Sequence, residues 1–241
     1  MEKKGSASII AMVSILMIIA FIPVAMIVLP SPSSAMAPNG RVVSATKVVR
    51  EMTTHKDVMM VADLVKGSYG VVIMPKFYKA VFGLGGPYGE GLVLQHDPAT
   101  GHWYGPSYIK ISGESYGAEV GGQSTTLFLV ITDKQGMEYF YDDTAVELDT
   151  NVDLAAGPLG PSTGAETGVN RKASVYSYSM SKGILAAPSL GRLVMKTDGK
   201  ANESYWGSKY PSRMILGKPA SRSNIQPLLV ALNNFVLKAG K

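Results

Sequence analysis

The chain has no cysteine, only three histidines and two tryptophans, and just 17% of its 241 residues are charged. Without cysteine there are no disulfides, no thiolate-held zinc or iron–sulfur cluster, no cysteine nucleophile and no cysteine to carry an N-terminal lipid. Sparse charge beside 46% hydrophobic residues excludes a disordered or coiled-coil chain. The shortage of histidine also limits catalysis. Gly113-Glu114-Ser115-Tyr116-Gly117 fits the G-x-S-x-G nucleophile elbow, which needs a preceding strand, a following helix and a later histidine. His55, His96 and His102 all precede Ser115, and the residues after Ser115 are glycine-rich and strand-like. Ser115 therefore reads as a glycine-flanked strand residue, with serine hydrolysis kept as a third-ranked alternative. His96, Asp97 and His102 lack a metal-ligand spacing. The acidic run Asp142, Asp143, Glu147, Asp149 and Asp153 lacks the calcium-loop pattern. The loop from Gly83 to Gly89 lacks the final glycine of a dinucleotide fingerprint. No metal, cofactor or catalytic residue is expected.

Charge of one sign is locally scarce as well. Residues 80–162 hold two basic against eleven acidic side chains, whereas residues 163–241 hold twelve basic against three acidic. Residues 39–79 add seven basic against three acidic. Blocks of opposite sign predict either a two-signed surface or mutual attraction in the fold. In the C-terminal block, Arg171, Lys172, Lys182, Arg192, Lys196, Lys200, Lys209, Arg213, Lys218 and Arg222 occur beside Tyr176, Tyr178, Tyr205, Trp206 and Tyr210. Cations interleaved with aromatics suit an anionic surface. The competing reading is plain solubilising charge.

Lys3 and Lys4 precede an apolar run over 7–29, broken by Ser8, Ser14 and Pro23. At about 1.5 Å per residue it can cross a hydrocarbon core of about 30 Å. Ser33-x-Ala35 also offers a signal cleavage site, so a cleaved signal and a retained anchor both stay open. Either predicts an exported, periplasmic or cell-envelope setting, in which phospholipid is a more available anion than nucleic acid. Residues 1–38 are thus a leader with a Pro/Ser-rich linker, and residues 39–241 the domain.

Within that domain Val42, Ala45, Val48, Val49 and Met52 recur at helical spacing, with Arg41, Lys47 and Arg50 between them. A helical segment over 40–65 is expected, broken near Thr53 and restarted after Asp57 as N-cap. It either packs on a sheet or lies on a bilayer. From Gly70 the period shortens. Glycines stand among Val, Ile, Leu, Tyr and Phe, which marks bulges and close backbone approaches in a strongly bent sheet. Strands are expected at 70–74, 81–85, 91–95, 104–111, 116–121, 125–132, 137–141, 173–180, 183–186 and 190–196, and residues 150–172 as a long loop. Ser223, Gln226 and Pro227 predict a short terminal helix burying Leu228, Leu229, Leu232, Phe235 and Val236. The fold class is α+β, mainly β: a curved antiparallel sheet, sandwich or barrel-like, with an N-terminal helical segment and a short C-terminal helix.

Ordered blocks across 45–217 resemble the SYLF domain family. They are Lys66-Gly67, Val72-Ile73-Met74-Pro75, Phe82-Gly83, Gly89-x-Gly91, Trp103-x-x-Pro106-Ser107, Gly113-x-Ser115-x-Gly117 and Gly121-x-Gln123. Asp153, Ala156-Gly157-Pro158-x-Gly160, Tyr176-Ser177-Tyr178-Ser179, Lys182-Gly183, Tyr205-Trp206-Gly207 and Ile215-Leu216 come later in the same order. Ala187-Pro188-Ser189 departs from the family's glycine-containing turn. The resemblance implies non-enzymatic binding of anionic phospholipid, of the phosphoinositide type, with an N-terminal amphipathic helix and basic residues at the membrane. The residues expected to meet headgroups are Arg41, Lys47, Arg50, Arg171, Lys172, Lys182, Arg192, Lys196, Lys209 and Arg213, with Tyr205 and Trp206 at the interface. The alternative is a module for an envelope protein partner; no nucleic acid is expected, and oligomeric state is left open.

Overall fold

The computed structural model describes residues 35–78, 87–112, 124–148, 152–159, 173–188, 190 and 193–239. Contacts divide the chain into Met1–Ser34 and Ala35–Lys241, and the described residues belong to the second unit. The leader, the expected strands at 81–85 and 116–121, Ser115 and most of the loop over 150–172 lie outside the described residues.

Helix α1 (Pro38–Thr53) starts on a proline at its first turn, where a missing N–H costs nothing, and buries Val42, Ala45, Val48, Val49 and Met52. After a break, α2 (Met59–Lys66) buries Val61, Ala62, Leu64 and Val65. Its N-cap is Val58, with no side-chain cap, and not Asp57 as expected.

Strands β1 (Gly70–Tyr78), β2 (Tyr88–Asp97), β3 (His102–Ser112) and β4 (Thr125–Ile131) form the middle of the sheet. Helix α3 (Lys134–Glu138) comes next, where the pattern over 137–141 predicted a strand. Asp133 decides it: its carboxylate accepts from the Gly136 N–H at 2.6 Å, capping a helical turn at the strand's exit. Then come β5 (Val146–Leu148), β6 (Leu154–Ala156), β7 (Val175–Ser181), β8 (Ile184–Ala186) and β9 (Leu193–Thr197). β6 is a strand inside the expected loop, and its pairing with β7 is parallel, whereas the other strand pairs among the described residues are antiparallel. Helices α4 (Gly199–Trp206), α5 (Ser212–Leu216) and α6 (Gln226–Val236) complete the described residues.

The sheet runs β5-β9-β3-β2-β1-β4-β7-β6, with β8 also on β7. A parallel bridge from Leu148 to Val152 links the β5 end of this path to the segment entering β6 at the other end. The sheet is therefore curled nearly into a barrel. Alternation then sorts side chains into two cores. Val72, Met74, Val93, Ile111, Leu129, Leu148 and Met195 fill the face without long helices, which is the enclosed one. Val71, Ile73, Leu92, Tyr108, Phe128 and Tyr178 point the other way and pack under α1, α2, α4 and α6. Gly91 is where the curl needs glycine: a Cβ there would run into the Ile73 carbonyl across the β1–β2 pair.

Candidate functional site

The expected cations separate into three groups. Lys47 and Arg50 are exposed on α1, in a stripe with Val43, itself 69% exposed. Arg41 is the opposite case, only 1% exposed. Its guanidinium contacts Asp198 at 2.7 Å and Glu90 at 3.4 Å and donates to the Met36 carbonyl from Nε. It also lies 5.7 Å from the centroid of the Tyr108 ring. A cation enclosed by two carboxylates and an aromatic face is a structural tie between α1, β2 and the start of α4. Arg41 leaves the headgroup-facing set for that reason.

The C-terminal set is also divided. Lys182 occupies the β7–β8 turn with φ of 50°, exposed. Lys196 is exposed on β9 directly opposite Lys110 of β3, and Lys209 is exposed beyond α4. Arg213 points into acidic company: it pairs with Glu138 at 2.9 Å and stacks over Tyr141 at 4.7 Å, while neighbouring Ser212 donates to Asp143 from both its N–H and its hydroxyl. Arg171, Lys172 and Arg192 lie outside the described residues.

Both expected interface aromatics are engaged within the fold. Tyr205 is buried, with its hydroxyl donating to Asn224 Oδ1 at 2.9 Å; Trp206 is half-buried and donates from its indole to the Pro106 carbonyl at 3.1 Å. Arg222 covers both rings, at 5.1 and 5.0 Å, and donates to the Tyr205 and Trp206 carbonyls. These contacts close the α4 C-terminus.

The basic N-terminal helix packs beside the C-terminal one on one side of the sheet. α1 packs against α6 and α4, and Asn224 donates to Asn39 at 2.7 Å at the start of both α1 and α6. α6 and the turn after it expose Val230 (54%), Leu237 (65%) and Lys238, and α6 contains no acidic residue. Glu51 is the sole acid of α1. The residues Asp133, Glu138, Asp142, Asp143, Glu147 and Asp153 come after β4 and belong to α3, β5 and their connections. A groove of about 450 Å³ also opens between the β2–β3 turn and α6, lined by Trp103, Tyr104, Pro219, Leu229 and Val230 among others.

Comparison with known proteins gives a consistent picture. A family model, Ysc84, described as Las17-binding protein actin regulator, matches residues 112–235. The SH3 domain-containing protein PJ696.02 of Schizosaccharomyces pombe is 32% identical over 71% of this chain and 40% of its own length. LAS seventeen-binding protein 3 of Saccharomyces cerevisiae is 28% identical over 74% of this chain and 39% of its own. SH3 domain-containing YSC84-like protein 1 of Mus musculus is 26% identical over 80% and 58%. The chain spans less than two thirds of the length of each. These relatives come from yeasts and vertebrates, and that overturns the exported, periplasmic or cell-envelope setting expected from the N-terminal segment. Among the described residues no helix is long and apolar enough to cross a membrane.

Proposed function

The chain belongs to the Ysc84 (SYLF) family, and from that premise we propose that its folded part is a non-enzymatic module that docks on anionic phospholipid through the outer faces of α1 and α6. One observation carries the reading: Lys47, Arg50 and Val43 on α1, Val230 on α6, and Leu237 and Lys238 in the turn after it are exposed, and the two helices pack side by side. Each cation near an anionic bilayer contributes about 1 kcal/mol, and the exposed aliphatic side chains add shallow insertion. The acidic segment belongs to other elements, so approach by α1 and α6 meets little like-charge repulsion. Flotation with vesicles of phosphatidylcholine and phosphatidylserine tests it. Replacing Lys47 and Arg50 by Gln should weaken binding by roughly thirtyfold, at about 1 kcal/mol each. Equal binding of the double variant would end the proposal.

A second reading has its own support. Relatives are named for binding Las17, and the groove beside α6 offers Trp103, Tyr104 and Pro219 to a peptide. On that reading a protein partner is captured without lipid, and Val230→Asp in the groove abolishes capture while Lys47 and Arg50 are dispensable.

A further inference from the structure

A polar cup opens at the end of the sheet where β1 begins, β2 ends and β3 begins. It holds about 260 Å³ beside α3, between Tyr69, Gln95, Tyr104 and Tyr141. Gln95 and Tyr104 are direct partners across β2 and β3, so their side chains project to one side. The ladder fixes Tyr69 as well: its N–H donates to the Ile131 carbonyl at 2.8 Å, and its carbonyl accepts from the His96 N–H at 2.9 Å. Tyr69 and Tyr141 pack against the enclosed core, to which α3 adds Met137. The cup therefore lies over one end of that core, at the mouth of the near-barrel, a usual place for a small-molecule site.

Hydrogen-bonding capacity in the cup is unspent. The Gln95 Oε1 accepts from the Tyr141 hydroxyl at 2.9 Å, which leaves the two amide N–H groups of Gln95 without a partner among the described residues. The Tyr69 and Tyr104 hydroxyls likewise have no hydrogen-bond partner among the described residues. Charge, by contrast, is balanced. Asp97 accepts from the Ala99 N–H and the Thr100 hydroxyl, and Glu138 pairs with Arg213 at 2.9 Å. Lys134 lies 5.9 Å from the centroid of the Tyr69 ring, and Arg213 lies 4.7 Å from that of Tyr141. Two carboxylates and two cations thus border the opening, and a charged ligand of either sign meets like charge there. The Tyr104 ring is half-buried and has no cation or second ring against it among the described residues. It is an open apolar platform beside unspent polar groups.

We infer that this cup binds a neutral pyranose saccharide, its C–H face on the Tyr104 ring and its hydroxyls among Gln95, Tyr69 and Asp97. The sugar oxygens accept from the Gln95 amide and the two tyrosine hydroxyls, while a sugar hydroxyl donates to Asp97, whose oxygens keep lone pairs. The volume is just below the range of about 300–1,000 Å³ typical of drug-sized ligands, which suits a single ring. The cup shares Tyr104 with the groove beside α6, but Lys47, Arg50, Lys238 and Val230 take no part in it. A free monosaccharide and the terminal sugar of a glycan have the same chemistry.

The test titrates the ¹⁵N-labelled full chain with glucose, galactose and mannose, and follows the backbone amide signals of Gln95, Asp97 and Tyr104. At least one sugar should shift them in a saturable way. The methyl glycoside of that sugar forms a second arm: retained binding assigns the cup to a glycan terminus, and lost binding to the free sugar. Tyr69→Phe with Tyr104→Phe keeps both rings and removes only hydroxyls that have no partner within the fold. That variant should lose at least about tenfold in affinity, whereas Lys47→Gln with Arg50→Gln stays within about twofold. Tyr104→Ala, with its folding checked by a urea midpoint, should abolish the shifts. Raising the salt should leave sugar affinity unchanged, because no net charge is neutralised. Glucuronate, the glucose ring with a carboxylate, should bind no more tightly than glucose. The site is overturned if none of the three sugars shifts these signals at about 50 mM, well above the millimolar range of a weak site. Unchanged affinity of the double Phe variant also overturns it, and so does tighter binding of glucuronate.

Discussion

Replacing Arg41 by Met would leave Glu90 and Asp198, whose side chains are 11% and 13% exposed, without the cation they share. Removing one member of such a buried set costs about 3–5 kcal/mol, a loss that urea unfolding would read directly. Its position was legible after all: Arg41 is four residues before Ala45 and seven before Val48, on the buried stripe of α1, while Lys47 and Arg50 share the exposed one. Charge alone could not separate them. The neighbouring Tyr108 hydroxyl is buried and has no hydrogen-bond partner among the described residues. Desolvation raises its pKa, so it stays neutral. Tyr108→Phe should therefore stabilise the chain, by about 1 kcal/mol, and a destabilised variant would show that the hydroxyl has a partner. His96 gives a pH signature. It is buried, stacked on Trp103 at 4.2 Å, and its Nδ1 contacts the Ser68 carbonyl at 2.9 Å; a carbonyl only accepts, so Nδ1 carries the proton. Burial lowers its pKa below 6.5, outweighing the Ser68 bond and the Asp97 charge. Between the lowered pKa and 6.5 the unfolded chain binds the extra proton. The contribution is then complete above pH 6.5 and is lost as pH falls through the folded value. Urea midpoints measured across that window should decline on acidification, and the decline should shrink in His96→Gln.

At the scale of elements, the shift from a helical to a strand period at Gly70 placed the central strands correctly, because their side chains alternate between two apolar cores. What period could not supply were the local overrides. Asp133 caps α3 where apolar residues suggested a strand, and β6 is a three-residue strand in a Gly- and Pro-rich stretch, held by β7 rather than by its own propensity. α4 went unrecognised although Asp198 caps it and Gly207, at φ of 77°, ends it. The expected capping box of α6 is not formed either: Ile225 is its N-cap, and Gln226 donates to the Ala220 and Arg222 carbonyls. Glycine-based bending was legible and can be probed. Gly91→Ala puts a methyl group against the Ile73 carbonyl and the Met74 side chain, which should cost about 1–3 kcal/mol by overpacking. An alanine variant of native stability would mean that β1 and β2 can separate without loss.

For the whole molecule, the charge blocks read from sequence meet in the fold: Arg213 pairs with Glu138 and β5 pairs with β9, while α1 carries its basic stripe beside α6, which has no charged residue. Composition could not tell which cations stay available. Arg41, Arg213 and Arg222 are all engaged within the fold, by carboxylates, rings or carbonyls, whereas Lys47, Arg50 and Lys238 are exposed. On the proposed docking through one face, the effect of an acid depends on where it is, not on net charge. Glu51 is exposed on α1 next to Arg50, so Glu51→Gln should strengthen vesicle binding by about fivefold, the equivalent of about 1 kcal/mol. Asp142→Asn changes the net charge equally but lies after α3, and should leave binding within about twofold. Raising the salt should shrink the gap between the two variants, because the field of exposed charges is screened over about 10 Å at 0.1 M. If both substitutions strengthen binding alike, attraction comes from total charge and the α1–α6 face has no special part in it.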